Sequence, residues 1–156
     1  MRPAYTVATV RAAEERLLAE QSHPDQLMQL AAAAVAEAAP SMLAAPPGAV
    51  VILAGPGGNG GDGLYAGALL AERGVDVHAL VPQEHHDAAL DAFLAAGGTV
   101  LPSDVSLPDG SETPGSALLS DAIAGLGSAR FLSGTALSRY EQAVASGVPV
   151  LAVDMP

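Results

Sequence analysis

The chain has 156 residues, half of them apolar, which is enough for a single domain with a real core. Seventeen acidic against six basic residues give a formal net charge of -11, so nucleic acid is not an expected partner. With arginine as its only cation besides histidine, the chain lacks the lysine of Walker-type sites and Schiff bases. The absence of cysteine excludes disulfides, thiolate catalysis and cysteine-bound zinc.

Two helices are predicted before the first strand. Thr6 can cap the first helix, in which apolar and charged residues separate at helical spacing. The apolar side carries Val7, Val10, Leu17 and Leu18, and the predicted solvent side carries Glu14, Glu15 and Arg16. The second helix opens at Pro24 and Asp25 and ends near Pro40. Its stripe of Met28, Leu30 and Ala34 predicts packing in the core or in a dimer.

Strand and helix patterns alternate from residue 49 onward, which is typical of β-α-β organisation. We predict strands over 49–54, 75–81, 99–101, 117–120 and 148–153, helices over about 62–73, 87–96 and 136–145, and a surface loop over 103–116. The expected fold is a single α/β domain over residues 1–156. It is a Rossmann-like three-layer α/β/α sandwich with a mostly parallel sheet, preceded by the two N-terminal helices.

Neither a signal peptide nor a membrane span is predicted. The N-terminus lacks a continuous apolar core, and no later apolar run approaches the roughly 18 residues that a span requires. A soluble, cytoplasmic protein is therefore expected.

A glycine-rich loop follows the first strand, with the sequence Gly55-Pro56-Gly57-Gly58-Asn59-Gly60-Gly61-Asp62-Gly63. Glycine lets the backbone turn sharply and lets a ligand approach the main chain. An aspartate where helix N–H groups converge would compete with a bare phosphate, so the loop suits hydroxyls, amides or a cation as well. A purely structural interpretation, in which Asp62 only caps the helix, stays open.

Polar side chains also follow other predicted strands. Asn59 and Asp62 follow the first strand, Asp121 a later one and Asp154 the last. Because parallel strands end at one edge of a sheet, these side chains can converge on a single crevice. Such oxygen donors favour a hard cation over zinc. Asp121 and Asp154 could also be ordinary turn residues.

Three weaker patterns accompany the loop. Gly55-x-Gly57-x-x-Gly60 matches the dinucleotide fingerprint, with Glu84 as a candidate ribose-binding acid. Tyr65 could equally stack on a ligand or cover its own helix. The histidines have no recognisable metal spacing and are interpreted as surface residues: His23, His78, His85 and His86.

The glycine loop resembles the G-x-G-N-N-G-G-D-G signature of the YjeF N-terminal domain, the NAD(P)H-hydrate epimerase family. Residues 121–127 look like its D-A-L-F-G-T-G, and residues 150–156 look like its V-x-A-V-D-x-P-S-G. The opening helices, including Leu27-Met28, also fit. The resemblance spans essentially the whole chain.

This resemblance implies an isomerase of nicotinamide nucleotide repair, which interconverts the R and S forms of hydrated NADH or NADPH. It implies that Asp154 binds the substrate near the reacting ring, where it would assist proton transfer, and that Asn59 and Asp121 help to hold a potassium ion. Further substrate contacts are implied for Gly58, Asn59, Gly60, Gly61, Asp62, Gly125, Leu126, Gly127, Ser128, Ala129, Arg130 and Phe131. A separate or fused ADP/ATP-dependent NAD(P)H-hydrate dehydratase is the implied functional partner, and a homodimer is left open.

The chain departs from the family pattern at three places. Gly58 stands where the family has the first of two asparagines, and Leu126 stands where it has threonine. The sequence ends before the serine that the family uses as a further potassium ligand, so we expect the sheet to end in an unfinished edge. The alternatives are a non-catalytic nucleotide-binding or dimerisation module of the same fold and, least favoured, an NAD dehydrogenase.

Overall fold

The structure is a computed structural model that describes residues 5–43, 48–102, 116–126 and 133–154. Its centre is a parallel five-stranded sheet. The strands are β1 (Ala49–Ala54), β2 (Val77–Leu80), β3 (Thr99–Val100), β4 (Ser116–Ala122) and β5 (Val150–Ala152). Their spatial order is β3-β2-β1-β4-β5. The order therefore reverses between β1 and β4, which is the point where open α/β sheets leave a ligand crevice.

Helices cover both faces of this sheet, which confirms the predicted three layers. The helices are α1 (Val7–Glu20), α2 (Gln26–Ala38), α3 (Gly58–Glu72), α4 (Asp87–Ala95) and α5 (Gly134–Ala145). On one face, side chains of α2, α3 and α4 form the larger core with alternate residues of β1 such as Ile52. On the other face, Leu53 and Leu119 pack with Ala143 of α5. The alternation follows from the pleat of the strands.

The boundaries of α3 and β4 differ from the sequence prediction. Helix α3 begins at Gly58, one turn earlier than predicted, so Asp62 lies inside the helix and does not cap it. Glycine is a poor helix former, and propensity alone therefore places the start too late. The strand predicted over 117–120 is the seven-residue β4, which pairs with both β1 and β5.

The apolar residues of the first two helices are buried only in part, so core packing of these stripes is not confirmed, and packing in a dimer stays a prediction. Helix α1 contains no buried residue, and Leu17 and Leu18 are each half exposed. In α2 the buried residues are Ala32 and Ala36, whereas Leu30 is 63% exposed. Small side chains let α2 pack closely on its neighbours, so alanine forms the buried face. Within the described ranges no helix has both the length and the apolar character needed to cross a membrane.

Tyr65 covers its own helix and does not reach the ligand crevice. Its hydroxyl donates to Asp25 Oδ2 at 3.0 Å, and His86 Nε2 lies 3.5 Å from Oδ1 of the same carboxylate. These contacts join the start of α2 to α3 and to the start of α4. The histidines 78, 85 and 86 are each partly buried and contact nearby aspartates, so only His23 is exposed as predicted.

Candidate functional site

A cleft of about 900 Å³ lies at the carboxyl edge of the sheet, above the switch point between β1 and β4. The glycine loop forms one wall, and the segments that follow β4 and β5 form another. Helices α1 and α2 close the remaining side. The polar residues that line the cleft are Arg11, Glu14, Asn59, Asp62, Glu84 and Asp154.

The glycine loop packs closely on its own backbone and on the end of β4. The Gly55 N–H donates to Ala122 O at 2.9 Å. A Cβ on Gly60 would lie only 2.8 Å from the carbonyl carbon and the nitrogen of Gly55, closer than real side chains come. Glycine at position 60 is thus required for packing, whereas a Cβ at Gly57 would meet nothing within 4 Å.

The N-terminus of α3 has no side-chain cap. Its N-cap is Gly57, which has no side chain to accept from the first N–H groups, and no acidic residue lies in the first turn. Within the described ranges, both polar atoms of the Asn59 amide are buried with no hydrogen-bond partner. A buried polar group without a partner costs about 1–3 kcal/mol. A ligand that supplied the partner would remove that cost.

Asp154 lies close to Asn59 in the cleft. The backbone of Asp154 is left-handed, with φ of 75°, and its Oδ2 accepts a hydrogen bond from the Leu126 N–H. A Cβ on Gly125 would lie 2.9 Å from Asp154 Oδ2 and 3.4 Å from Asn59 Cβ. The loops after β1, β4 and β5 therefore converge, as the parallel order predicts.

Asp62 lies deeper in the cleft and differs electrostatically from an ordinary surface carboxyl. Burial raises its pKa from 3.8 to about 7, with further contributions from the negative charges of Asp154 and Glu14. Asp62 is therefore protonated up to a higher pH than an ordinary carboxyl group. The site thus holds a carboxyl group that can both give and take a proton near pH 7.

Asp121 is set back from the cleft and is absent from its lining. Asp121 lies inside β4, where it is the register partner of Leu53 of β1. Its Oδ1 accepts a hydrogen bond from Ile123 N at 3.1 Å. Its predicted position after a strand end is wrong, because β4 continues to Ala122. Across the ranges that the structure describes, no three His, Cys, Asp or Glu side chains are placed to hold a metal ion.

The remaining predicted site residues divide into three groups. Gly58, Gly125 and Leu126 line the cleft with Asn59, Asp62 and Asp154. Gly60 and Gly61 are buried behind the wall, where a Cβ on Gly61 would meet the Met28 side chain. Five residues lie outside the described ranges: Gly127, Ser128, Ala129, Arg130 and Phe131.

Sequence reasoning missed the contribution of α1 to the cleft. Arg11 and Glu14 line it, although Glu14 was assigned to the solvent side. The Arg11 guanidinium donates through Nη2 to Leu126 O at 3.4 Å. The sequence did contain one indication: Arg11 and Glu14 are three residues apart, which places them on the same face of the helix. That this face meets the cleft is a consequence of tertiary packing.

Comparisons with known proteins agree with this architecture. A protein of Microbacterium testaceum named NAD(P)H-hydrate epimerase is 46% identical over 160 residues, which cover 98% of this chain and 59% of that protein. The "Bifunctional NAD(P)H-hydrate repair enzyme Nnr" of Corynebacterium glutamicum is 39% identical over 167 residues, which cover 100% of this chain and 28% of that protein. The chain thus spans well under two thirds of the length of these relatives.

A solved structure supports the fold independently. The crystal structure of yeast ynu0, YNL200c, superposes with a TM-score of 0.77 at 22% identity and covers 99% of this chain and 71% of that one. The family model described as YjeF-related protein N-terminus matches residues 24–156. The chain therefore belongs to the family of YjeF-related protein N-terminal domains.

Proposed function

We propose that the chain binds hydrated NADH or NADPH in this cleft and interconverts the R and S forms at the hydrated carbon. The observation that carries the proposal is the buried amide of Asn59, which has no hydrogen-bond partner among the described residues and lies beside Asp154 at the switch point of a parallel sheet. Such a point is where this class of fold binds nucleotides. The names of the two relatives described above favour hydrated nicotinamide nucleotides over other ligands.

Asp62 and Asp154 are the proposed proton-handling pair. Asp154 lines the cleft, and its carboxylate is held there by the hydrogen bond from the Leu126 N–H. Asp62, with a pKa raised to about 7 by burial, is available as a donor or an acceptor at neutral pH. Epimerisation inverts the hydrated carbon, so what is removed from one face of the ring has to be restored on the opposite face, and a pair of groups that can donate and accept a proton suits this exchange. The glycine loop would orient the nucleotide.

A potassium ion is part of the proposal. The Asn59 amide oxygen is a hard donor that is buried without a partner, which fits a cation that prefers oxygen ligands. Asp121 would contribute a carboxylate from behind the lining. When bound, the ion would supply positive charge beside the carboxylates of the cleft.

We also propose that a separate or fused NAD(P)H-hydrate dehydratase uses the product, and that a homodimer is one candidate assembly.

The test is an assay of the isolated R form of hydrated NADPH with the full chain, in potassium and in sodium. We expect conversion to the R and S mixture, a higher rate in potassium, and a loss of at least about a hundredfold in Asp154→Asn. Binding without turnover in both salts would instead support the non-catalytic nucleotide-binding module. No binding and no turnover would overturn the proposal.

A further inference from the structure

We propose that Arg11 of α1 binds the phosphate group of the nicotinamide nucleotide and thereby selects phosphorylated ligands. The inference rests on the function proposed above and adds to it a specificity-determining residue outside the glycine loop. It follows from the position of Arg11, from the charges around it and from the chemistry of the guanidinium group.

Arg11 reaches the cleft from a helix that contributes no residue to the core. Its Nη2 donates to Leu126 O at 3.4 Å, and the N–H of the same Leu126 donates to Asp154. The guanidinium therefore lies next to the residue that anchors the proposed proton-transfer group. An arginine has five N–H donors in a planar fork, so this one long hydrogen bond leaves others available for a ligand.

The charge of the cleft makes such a cation necessary. Among the described residues that line it, Arg11 is the one cation, whereas Glu14, Asp62, Glu84 and Asp154 carry carboxyl groups. A phosphorylated nucleotide would meet net repulsion from these carboxylates. Arg11 offsets that repulsion at the wall of the cleft that α1 forms, and its fork matches phosphate geometry. Within the described ranges Arg11 has no ion pair that would compete for it.

A structural role, in which Arg11 only ties α1 to the loop after β4, makes a different prediction. Loss of that tie would disturb every ligand of the cleft to a similar extent. Loss of a phosphate contact would lower the affinity for phosphorylated ligands alone. Two probes that differ only by the phosphate therefore distinguish the roles: reduced nicotinamide mononucleotide and reduced nicotinamide riboside.

The experiment is calorimetric titration of both probes into the wild-type full chain, Arg11→Gln, Arg11→Lys and Arg16→Gln. Arg16 lies on the same helix, is exposed and does not line the cleft, so it is the matched control. We expect Arg11→Gln to lower the affinity for the mononucleotide about tenfold, as loss of one charge-assisted hydrogen bond would. The affinity for the riboside should fall less than about twofold. Arg11→Lys should recover part of the loss, and Arg16→Gln should change neither affinity.

If Arg11→Gln lowers the affinity for both probes equally, or leaves the affinity for the mononucleotide unchanged, the role of Arg11 is overturned and the proposed function stays intact. A wild-type chain that binds the two probes equally well would overturn it as well. If the wild-type chain binds neither probe and does not epimerise hydrated NADPH, the proposed function itself fails, and the role of Arg11 fails with it.

Discussion

Two connections from a strand to a helix occupy equivalent places in this fold and differ in how the helix N-terminus is satisfied. After β2, α4 is capped by His86, whose Nδ1 accepts from the Ala89 N–H at 3.2 Å, and Asp87 lies in its first turn. After β1, α3 begins at a glycine without a side-chain cap or an acid in the first turn. The connection after β2 has its own cap, whereas the connection after β1 has no side-chain cap and holds an Asn59 amide that is without a hydrogen-bond partner among the described residues.

This difference indicates which turn is built for a ligand. Both helices lie on the same face of the sheet, and both turns follow parallel strands. Only the turn after β1 adjoins the switch point between β1 and β4. Exposed N–H groups and the positive end of the helix dipole attract polar or anionic groups there. At α4 the chain's own side chains already supply these interactions.

The largest effect is expected from Gly60→Ala, because the new Cβ would overlap the backbone of Gly55. Backbone cannot move aside as a flexible side chain can, so we expect a loss of about 3 kcal/mol in the free energy of unfolding. Gly57→Ala, whose Cβ would meet nothing within 4 Å, is the control for the glycine change itself. Thermal unfolding measures both, and equal melting temperatures of the two variants would contradict the packing described for the loop.

A pH-dependent effect is expected from Asp62→Asn. The folded-state pKa of Asp62 is about 7 against an ordinary value of 3.8, so the folded chain binds more protons than the unfolded chain between these values. The contribution of Asp62 to stability is therefore lost as the pH rises from about 4 through 7. The variant should match the wild type near pH 4 and have the higher melting temperature at pH 8.

The exposed Asp91 of α4 provides the control for the change of charge. Asp91→Asn removes the same carboxyl group without affecting the cleft. A melting-temperature difference for Asp62→Asn that is the same at pH 4 and pH 8 would show that burial does not govern this group.

A smaller loss is expected from His86→Ala, which removes the cap of α4 and the contact with Asp25 but no residue of the cleft lining. Loss of a helix cap costs about 1 kcal/mol, which corresponds to a fall in Tm of roughly 2–4 °C for a chain of this size. Nucleotide affinity should be unaffected. A large loss of affinity in this variant would mean that the two connections are not independent.

The smallest effect is expected from Gly58→Asn, which restores the asparagine of the family signature. A Cβ at Gly58 would lie 3.8 Å from Met28 Cε, an ordinary contact, and the residue is exposed. Asparagine is a slightly better helix former than glycine, so stability should rise by a few tenths of a kcal/mol at about its limit of detection. Chemical denaturation would measure it, and a clear loss of stability would show that position 58 requires glycine.

The sequence predicted the meeting of Asn59 and Asp154 because parallel topology alone places strand ends together. It did not predict the start of α3, since the glycines needed for close packing are poor helix formers. It placed Asp121 in the crevice, but β4 continues past this residue. The contribution of Arg11 was missed because the direction in which an exposed helix faces depends on packing that no local pattern records.

Asn59→Ala shows whether the turn after β1 keeps the Asn59 amide unsatisfied for a ligand. The measurement is the rise in melting temperature produced by saturating hydrated NADPH in the wild type and in this variant. We predict that the variant without ligand is at least as stable as the wild type, because two unpartnered buried atoms are removed, and that the ligand-induced rise is largely lost. A variant that is less stable without ligand and keeps the full rise would contradict the claim.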